Sequence, residues 1–466
     1  MTTEEKHRAE AERERLFQFF QTNNIHFAAD NPAKPYLGNL SPGCQTCVNG
    51  TWSCIFINSS CTRNCFYCPQ DRNEAAEKRP NTDRRLEFDS PSQYVRYLEA
   101  FNFEGIAFSG GEPFLAFDTM IQYIRKIRRS FGSRHYIWAY TNGDLVTEER
   151  LIRLKDAGLD ELRFDISAND YRLAPAALAA NHMDAVAVEI PAIPEDLDRV
   201  KSSLKRMEDM GVRFLNVHQL MATKHNYRAF MKRNYTVTNT DSNSRYLPVV
   251  ESELAALELL KHAVERNSTI GINYCSEHYK GTFQEEGLRK RYAPLLLNKA
   301  ESITGTGFIR RLTAKGRSDQ LKNLWEILNA GERSSCVRID ENGPSMIRFP
   351  PDLFGEIMAS DCCEKINVSY VGPKIKIYSS QNEKTGKELD FGAVRTLLKK
   401  KAILDFDLLN SASALFFHQL FIEKKNHDET AAEAVSAFDM EENDITEIME
   451  DIASFRGEFE ALEFRP

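Results

Sequence analysis

No run of about 18 apolar residues occurs in this chain, so no segment qualifies as a membrane-spanning helix. An apolar export-signal core is missing too: Met1 to Arg15 is charged and patterned as a helix, with Thr2 and Glu5 placed as a capping box. Internal repeats and low-complexity linkers are absent. Basic charge is in short supply: 60 Lys and Arg against 68 Asp and Glu leave a net charge of −8, which argues against a broad nucleic-acid footprint. Two local basic groups stand out, Lys126/Arg128/Arg129/Arg134 and Arg310/Arg311/Lys315/Arg317. RNA contact could use them, but a solvated helix face and a loop explain the first. What the chain does have is 466 residues, 42% hydrophobic and 27% charged, the make-up of a globular protein larger than one small domain. Its ten cysteines, without an export signal, read as those of a reduced cytoplasmic protein that uses thiols as metal ligands.

Three of those cysteines, Cys61, Cys65 and Cys68, lie in the run Cys-Thr-Arg-Asn-Cys-Phe-Tyr-Cys. The spacing packs three thiolates into one tight loop. Three thiolates suit a cubane iron–sulfur cluster and leave one iron without a protein ligand, whereas zinc usually takes four closing ligands from separated pairs. A zinc or structural metal loop is the alternative. Downstream, the apolar stretch Gly105–Ser109 feeds into Gly110-Gly111-Glu112-Pro113. Paired glycines let the backbone turn sharply and approach a ligand. Glu112 offers a carboxylate to an ammonium group. Alone this motif reads equally as a turn before a Pro-capped helix; one strand–helix unit after the cysteine triplet it says more.

Together these runs resemble the radical SAM superfamily, whose cluster motif is C-x3-C-x-aromatic-C, with Tyr67 in the aromatic slot. The resemblance implies a [4Fe-4S] cluster on Cys61, Cys65 and Cys68. It implies S-adenosylmethionine (SAM) held through Gly110, Gly111 and Glu112, with Tyr67 against adenine and Thr141-Asn142-Gly143 near the ribose and methionine. An electron from the cluster would break the sulfonium bond to the 5′ carbon, giving methionine and a 5′-deoxyadenosyl radical that takes hydrogen from substrate. A flavodoxin or ferredoxin is the implied electron donor. More narrowly, about residues 40–295 resemble the branch related to pyruvate formate-lyase activating enzyme, in a largely archaeal group. The marks are Gly43-Cys44-Gln45-Thr46-Cys47, Leu162-Arg163-Phe164-Asp165, Glu189-Ile190-Pro191-Ala192-Ile193-Pro194, Phe214-Leu215-Asn216, and Tyr274-Cys275 with Lys280, Gln284 and Arg291.

The pattern from residue 52 repeats strand, then helix. Strands are expected at Trp52–Asn58, Gly105–Ser109, Tyr136–Thr141, Glu161–Ser167, Ala185–Pro191 and Arg213–Leu220, with a seventh candidate at Thr269–Cys275. Such alternation implies parallel pairing. The fold class is therefore α/β, a partial (β/α)6 TIM-like barrel over residues 31–302. A charged helix over 1–30 precedes it, and an α+β domain over 303–466 follows. Chemistry in such barrels gathers at the C-terminal strand ends. That puts Thr141, Asn142, Asp165, Ser167, Glu189, Asn216, His218 and Cys275 on the candidate list, each equally readable as a hydrogen-bonded strand end. Arg163, Asp165 and Ser167 should share one strand face, too polar for a core, and so read as lining a cavity for SAM or substrate. Asp165 and His218 are the candidate catalytic residues, with a structural role the simpler reading of His218.

Cys44 and Cys47, after Pro42-Gly43, form a knuckle-like C-x2-C pair and with Cys54 make a candidate second metal site, to which Cys275 or His278 could add a ligand. Small buried apolar cysteines are the equal alternative, and the better one for Cys336, Cys362 and Cys363. Further on, Gln284–Glu301, Phe391–Lys400, Leu408–Glu423 and Asp439–Ser454 read as helices. Phe308–Lys315, Val337–Ile339, Ile366–Tyr370 and Lys374–Tyr378 read as strands, with a turn at Val371-Gly372-Pro373. Asn239–Arg245 reads as a polar loop, a substrate lid or simply surface. The expected function is a radical SAM enzyme acting on a small metabolite, lipid or peptide. A glycyl-radical-enzyme activase is the first alternative, though that task needs no large C-terminal domain. An RNA-modifying or non-catalytic iron–sulfur protein is the second.

Overall fold

Seven consecutive parallel strands form the backbone of the molecule: β3 (Trp52–Asn58), β5 (Gly105–Gly110), β6 (Tyr136–Thr141), β7 (Glu161–Phe164), β8 (Ala185–Pro191), β9 (Phe214–His218) and β12 (Gly271–Cys275). This is a computed structural model, and it describes residues 3–28, 32–70, 79–82, 86–238, 247–329, 338–339, 346–360, 362–382, 386–397, 403–407, 412–423 and 459–460. The expected capping box at Thr2, the polar loop Asn239–Arg245, Cys336 and the expected helix Asp439–Ser454 lie outside the described residues.

β1 (Ile25–Phe27) and β2 (Pro35–Leu37) add antiparallel strands at the β12 edge, and β4 (Asn81–Thr82) adds one at the β3 edge. Among the described residues the two edges do not pair, so the sheet is an open, partial α/β barrel. A small antiparallel pair, β10 (Met221–Ala222) with β11 (Leu247–Pro248), follows β9. The central strands are buried almost end to end, as expected when both faces of a parallel sheet are covered. The helices supply the outer cover through apolar stripes at helical spacing. In Phe117–Phe131 the buried positions Phe117, Met120, Ile121, Ile124, Ile127 and Phe131 form one such face.

Two expectations change. The fourth strand stops at Phe164, because Asp165 leaves strand geometry and caps a 3-10 turn, Ile166–Asn169. Asp165 and Ser167 therefore do not share a strand face with Arg163. The Cys44–Cys47 segment is not a knuckle but a helix, α2 (Pro42–Val48), following the N-terminal α1 (Thr3–Thr22). Ser41 Oγ caps α2 by accepting from Cys44 N at 3.2 Å, and Pro42 fills the first turn, where its missing N–H costs nothing.

The chain divides into two units at Glu285/Glu286, 17 residues before the expected boundary at 302. The second unit is α+β. Its antiparallel sheet holds β13 (Glu301–Ile303), β14 (Ile309–Lys315), β15 (Arg338–Ile339), β16 (Met346–Phe349), β17 (Lys365–Asn382), β18 (Gly386–Leu397) and β19 (Ile403–Asp407). A core of Leu312, Leu321, Leu324, Phe349, Phe354 and Phe417 covers it. β17 runs straight through Val371-Gly372-Pro373, where a turn was expected, and β18 occupies most of an expected helix. Pairing with β14 ends at Val371. Pro373 thus falls where, among the described residues, β17 pairs with β18 alone, the edge position a strand proline tolerates.

Candidate active site

The cysteine triplet occupies the loop after β3, and its neighbours are built by the glycine pair. Gly110 has φ +126°, and a Cβ there would meet Asn58 O at 2.2 Å; a Cβ on Gly111 would meet Ser60 O at 1.9 Å. Only side-chain-free backbone lets the end of β5 lie this close to the start of the cysteine loop. The contact is sealed by Gly111 N to Asn58 O at 3.0 Å, Glu112 N to Ser60 O at 2.7 Å, and Asn58 Nδ2 to Glu112 O at 2.9 Å.

Glu112 is 1% exposed. Its carboxylate accepts from Phe114 N at 3.1 Å, Thr141 Oγ1 at 2.9 Å and Asn142 N at 2.8 Å. No cation pairs with it among the described residues. Burial pushes its pKa above the ordinary glutamate range, opposed by those three donors. Asn142 in turn donates to Thr62 Oγ1 at 2.8 Å and points Nδ2 at Cys61 Sγ at 3.8 Å. Arg63 N donates to the same sulfur at 3.4 Å.

Tyr67 reaches across to the end of β7. Its hydroxyl donates to Asp165 Oδ2 at 3.0 Å and lies 2.7 Å from Ser167 Oγ, while Ser167 also bonds Asp165 Oδ1. Burial raises the pKa of both Asp165 and Tyr67. The structure thus gathers Cys61, Tyr67, Gly110, Gly111, Glu112, Thr141, Asn142, Asp165 and Ser167 at the C-terminal ends of β3, β5, β6 and β7.

Glu189 and Asn216 belong to a different network. Arg163, 3% exposed, donates to Glu161 Oε1 at 2.8 Å, Glu189 Oε2 at 2.7 Å and Ser41 Oγ at 2.9 Å, with its guanidinium 4.9 Å from the Trp138 ring centroid. Asn216 bonds Glu189 at 3.0 Å, Asn273 at 3.1 Å and Cys44 Sγ at 3.3 Å. Through Ser41 and Cys44 these residues tie α2 to the sheet, and Arg163 lies in this network rather than beside Asp165 and Ser167. His218 Nε2 bonds Glu189 Oε1 and is partly exposed. Burial works against the Glu189 charge, but Arg163 and then His218 hold its pKa well below the usual range. Burial, with Lys280 nearby, lowers that of His218.

Cys44, Cys47 and Cys54 do not come together as a ligand set. Cys54 packs with Ala107 and Trp138. Cys44 faces Asn216 and Asn273, and Cys47 accepts from Gln284 Nε2 at 2.7 Å. Among the described residues no three His, Cys, Asp or Glu converge on a single ion. A cubane asks for something else, since its three thiolates bind three different irons. In the triplet loop the three cysteines form no disulfide, two N–H donors face Cys61 Sγ, and Gly110-Gly111 present a side-chain-free wall.

Several contributors escape sequence reasoning. Asp144 binds Arg63 through both carboxylate oxygens, each at 2.5 Å, and Asn226 Nδ2 holds Tyr67 O at 3.0 Å. Asp144 stands two residues past Asn142, a place the motif itself marks; nothing local marks Asn226. Of the basic residues considered for RNA, Arg128 is held internally by Gly158 O and Asp160, Arg310 by Glu460, and Arg311 by Glu301.

Residues 55–217 match the Radical SAM superfamily. A protein of Methanocaldococcus jannaschii described as a "Putative glycyl-radical enzyme activating enzyme" is 28% identical over 319 residues, 65% of this chain and 81% of that protein. A "Probable GTP 3',8-cyclase" of Methanococcus aeolicus is 28% identical over 119 residues, 26% of this chain and 38% of that protein. Among solved structures, Streptococcus suis SuiB bound to precursor peptide SuiA is 11% identical with a TM-score of 0.37; the match covers 55% of this chain and 53% of that one. The matched domain spans the open parallel sheet from β3 to β9. The segment 55–217 is thus a radical SAM domain, and the chain is related to the archaeal activating-enzyme-like protein.

Proposed function

We propose that this protein binds a [4Fe-4S] cluster on Cys61, Cys65 and Cys68, cleaves SAM reductively, and uses the resulting radical to take hydrogen from a glycine of a partner polypeptide. The cluster, when bound, supplies the electron that breaks the sulfonium bond of SAM. The observation that carries the SAM reading is Glu112: a buried carboxylate, fixed by three donors at the cysteine loop, with no cation of its own among the described residues. The methionine ammonium of SAM supplies that cation. Gly110 and Gly111 let the cofactor approach the backbone, and Tyr67, held by Asp165 and Ser167, presents a fixed aromatic face and hydroxyl to the nucleoside. His218, partly exposed beside Glu189, is the candidate substrate contact at the end of β9.

The activase reading rests on the 28% identical archaeal relative, whose match spans 65% of this chain. Sequence reasoning alone favours a small metabolite, lipid or peptide because activation needs no large second domain; the relative shifts the weight to a protein substrate. The test is anaerobic. Reconstituted protein with SAM and a strong reductant should form 5′-deoxyadenosine, and a Cys61/Cys65/Cys68→Ala variant should not. Adding co-purified partner proteins should produce a glycyl EPR signal on one of them. 5′-Deoxyadenosine without any partner-dependent signal returns the reading to a small-molecule substrate.

A further inference from the structure

Outside this site lies one buried lysine that the proposed reaction does not use. Lys34 is 0% exposed. Its Nζ lies 3.0 Å from Cys275 Sγ and 4.5 Å from the centroid of the Tyr279 ring. Among the described residues no carboxylate pairs with it. A buried ammonium without a carboxylate is costly, so the sulfur is its principal partner. Burial opposes the charge, yet the neighbouring thiols, Cys275 foremost, raise the lysine pKa above its ordinary range.

The backbone fixes this meeting. β2 pairs with β12 in the register Leu37↔Ile272 and Tyr36↔Asn273. Continued by two residues, that register sets Lys34 directly opposite Cys275. Ser276 Oγ donates to Ala33 O at 2.6 Å and locks the adjoining pair. Cys275 is a free thiol, 6% exposed, at the end of a fully buried strand. Nitrogen and sulfur are thus held face to face by a sheet rather than by chance of rotamer.

We propose that Lys34 and Cys275 are a modification site, joined by dioxygen through a single oxygen atom as a lysine–cysteine N–O–S bridge. One N–O and one O–S bond form and the O–O bond breaks. One oxygen atom enters the bridge; the other leaves as water with two of the three protons carried by the amine and thiol. Sulfur and nitrogen each give up two electrons, and the four together reduce dioxygen. The bridge ties the segment before β2 covalently to the end of β12, closing the sheet edge as an oxygen-responsive lock. It does not depend on the reaction proposed above.

The experiment uses full-length protein purified without oxygen and with its cluster reconstituted, divided into a sealed aliquot and one equilibrated with air. After alkylation of free thiols and digestion, mass spectrometry follows the Lys34 and Cys275 peptides. The expected result is a joined species in the aerated aliquot alone, heavier than the two peptides by one oxygen and lighter by two hydrogens. Dithiothreitol returns both peptides, and the species is absent from Lys34→Arg and Cys275→Ala. Should either variant misfold, the sealed aliquot and the reductant reversal in the native sequence decide. The proposal is overturned by any of four results: Cys275 still alkylated after aeration, a Cys47–Cys275 disulfide, Cys275 driven to sulfinic acid with Lys34 unmodified, or metal that remains bound through Cys275 when Cys61, Cys65 and Cys68 are replaced.

Discussion

Glu112 and Arg163 are both buried charges, and they differ in what offsets them. Arg163 has its counter-charges inside the protein, Glu161 and Glu189. Removing one partner of such a set leaves uncompensated charge behind, at a cost of about 3–5 kcal/mol. Arg163→Met should therefore lower the denaturant midpoint strongly, and an unchanged midpoint would show that the triad carries no stability. Glu112 has no such partner among the described residues. Its folded pKa lies above the unfolded one, so its charge costs stability as pH rises through that interval, and an arriving ammonium offsets the cost. SAM affinity should accordingly fall as pH drops through the raised Glu112 pKa, beginning nearer neutrality than for an exposed glutamate. Glu112→Gln should weaken SAM binding roughly ten- to hundredfold, the range of a charge-assisted hydrogen bond, and flatten that pH dependence while iron content holds. Calorimetric titration across pH measures both; a wild-type pH slope retained by Glu112→Gln would remove the carboxylate from the amine site.

At the scale of elements, the cysteine loop and the end of β5 are one construction. Gly111→Ala places a methyl 1.9 Å from Ser60 O, a backbone atom that cannot swing away. The loop has to shift, so iron retained after reconstitution should drop several-fold while far-UV circular dichroism stays native; full iron loading would mean that the close approach is not needed for the cluster. How far these elements were legible depends on how local their signal is. The parallel strands stood out because each is a short apolar run between polar turns, and Trp52–Asn58, Tyr136–Thr141 and Ala185–Pro191 match residue for residue. Helix α2 carries its signal in Ser41-Pro42, an ordinary N-cap followed by a first-turn proline, which the C-x2-C spacing of Cys44 and Cys47 masks by imitating a knuckle. In β17 the Gly372-Pro373 dipeptide is a turn signal that tertiary pairing overrides, since register with β18 is set by a neighbour no local window contains. The candidate site was legible where motifs are contiguous, at residues 61–68 and 110–112. Its supports were not: Asn226 meets Tyr67 across 159 positions, and Arg163 meets Ser41 across 122.

On the scale of the whole molecule, the division at Glu285/Glu286 assigns every residue of the candidate site to the first unit. The second has its own apolar core beneath an antiparallel sheet, and a buried Arg310–Glu460–Tyr370 network of its own. Two cores with separate polar networks are the condition under which a single two-state transition fails. Scanning calorimetry should show two transitions. A ligand that binds one folded unit stabilises that unit by mass action, by about 2.7 kcal/mol at a hundredfold excess over its dissociation constant. Reconstituted cluster with SAM should therefore raise one transition and leave the other in place. Cys61→Ala should lose that shift without moving the second transition, because its loop belongs to the barrel. If both transitions rise together on SAM addition, the units are energetically coupled and the second contributes to binding. If neither moves while iron is fully loaded, Glu112 and the glycine pair do not hold SAM, and the proposed reaction loses its binding site.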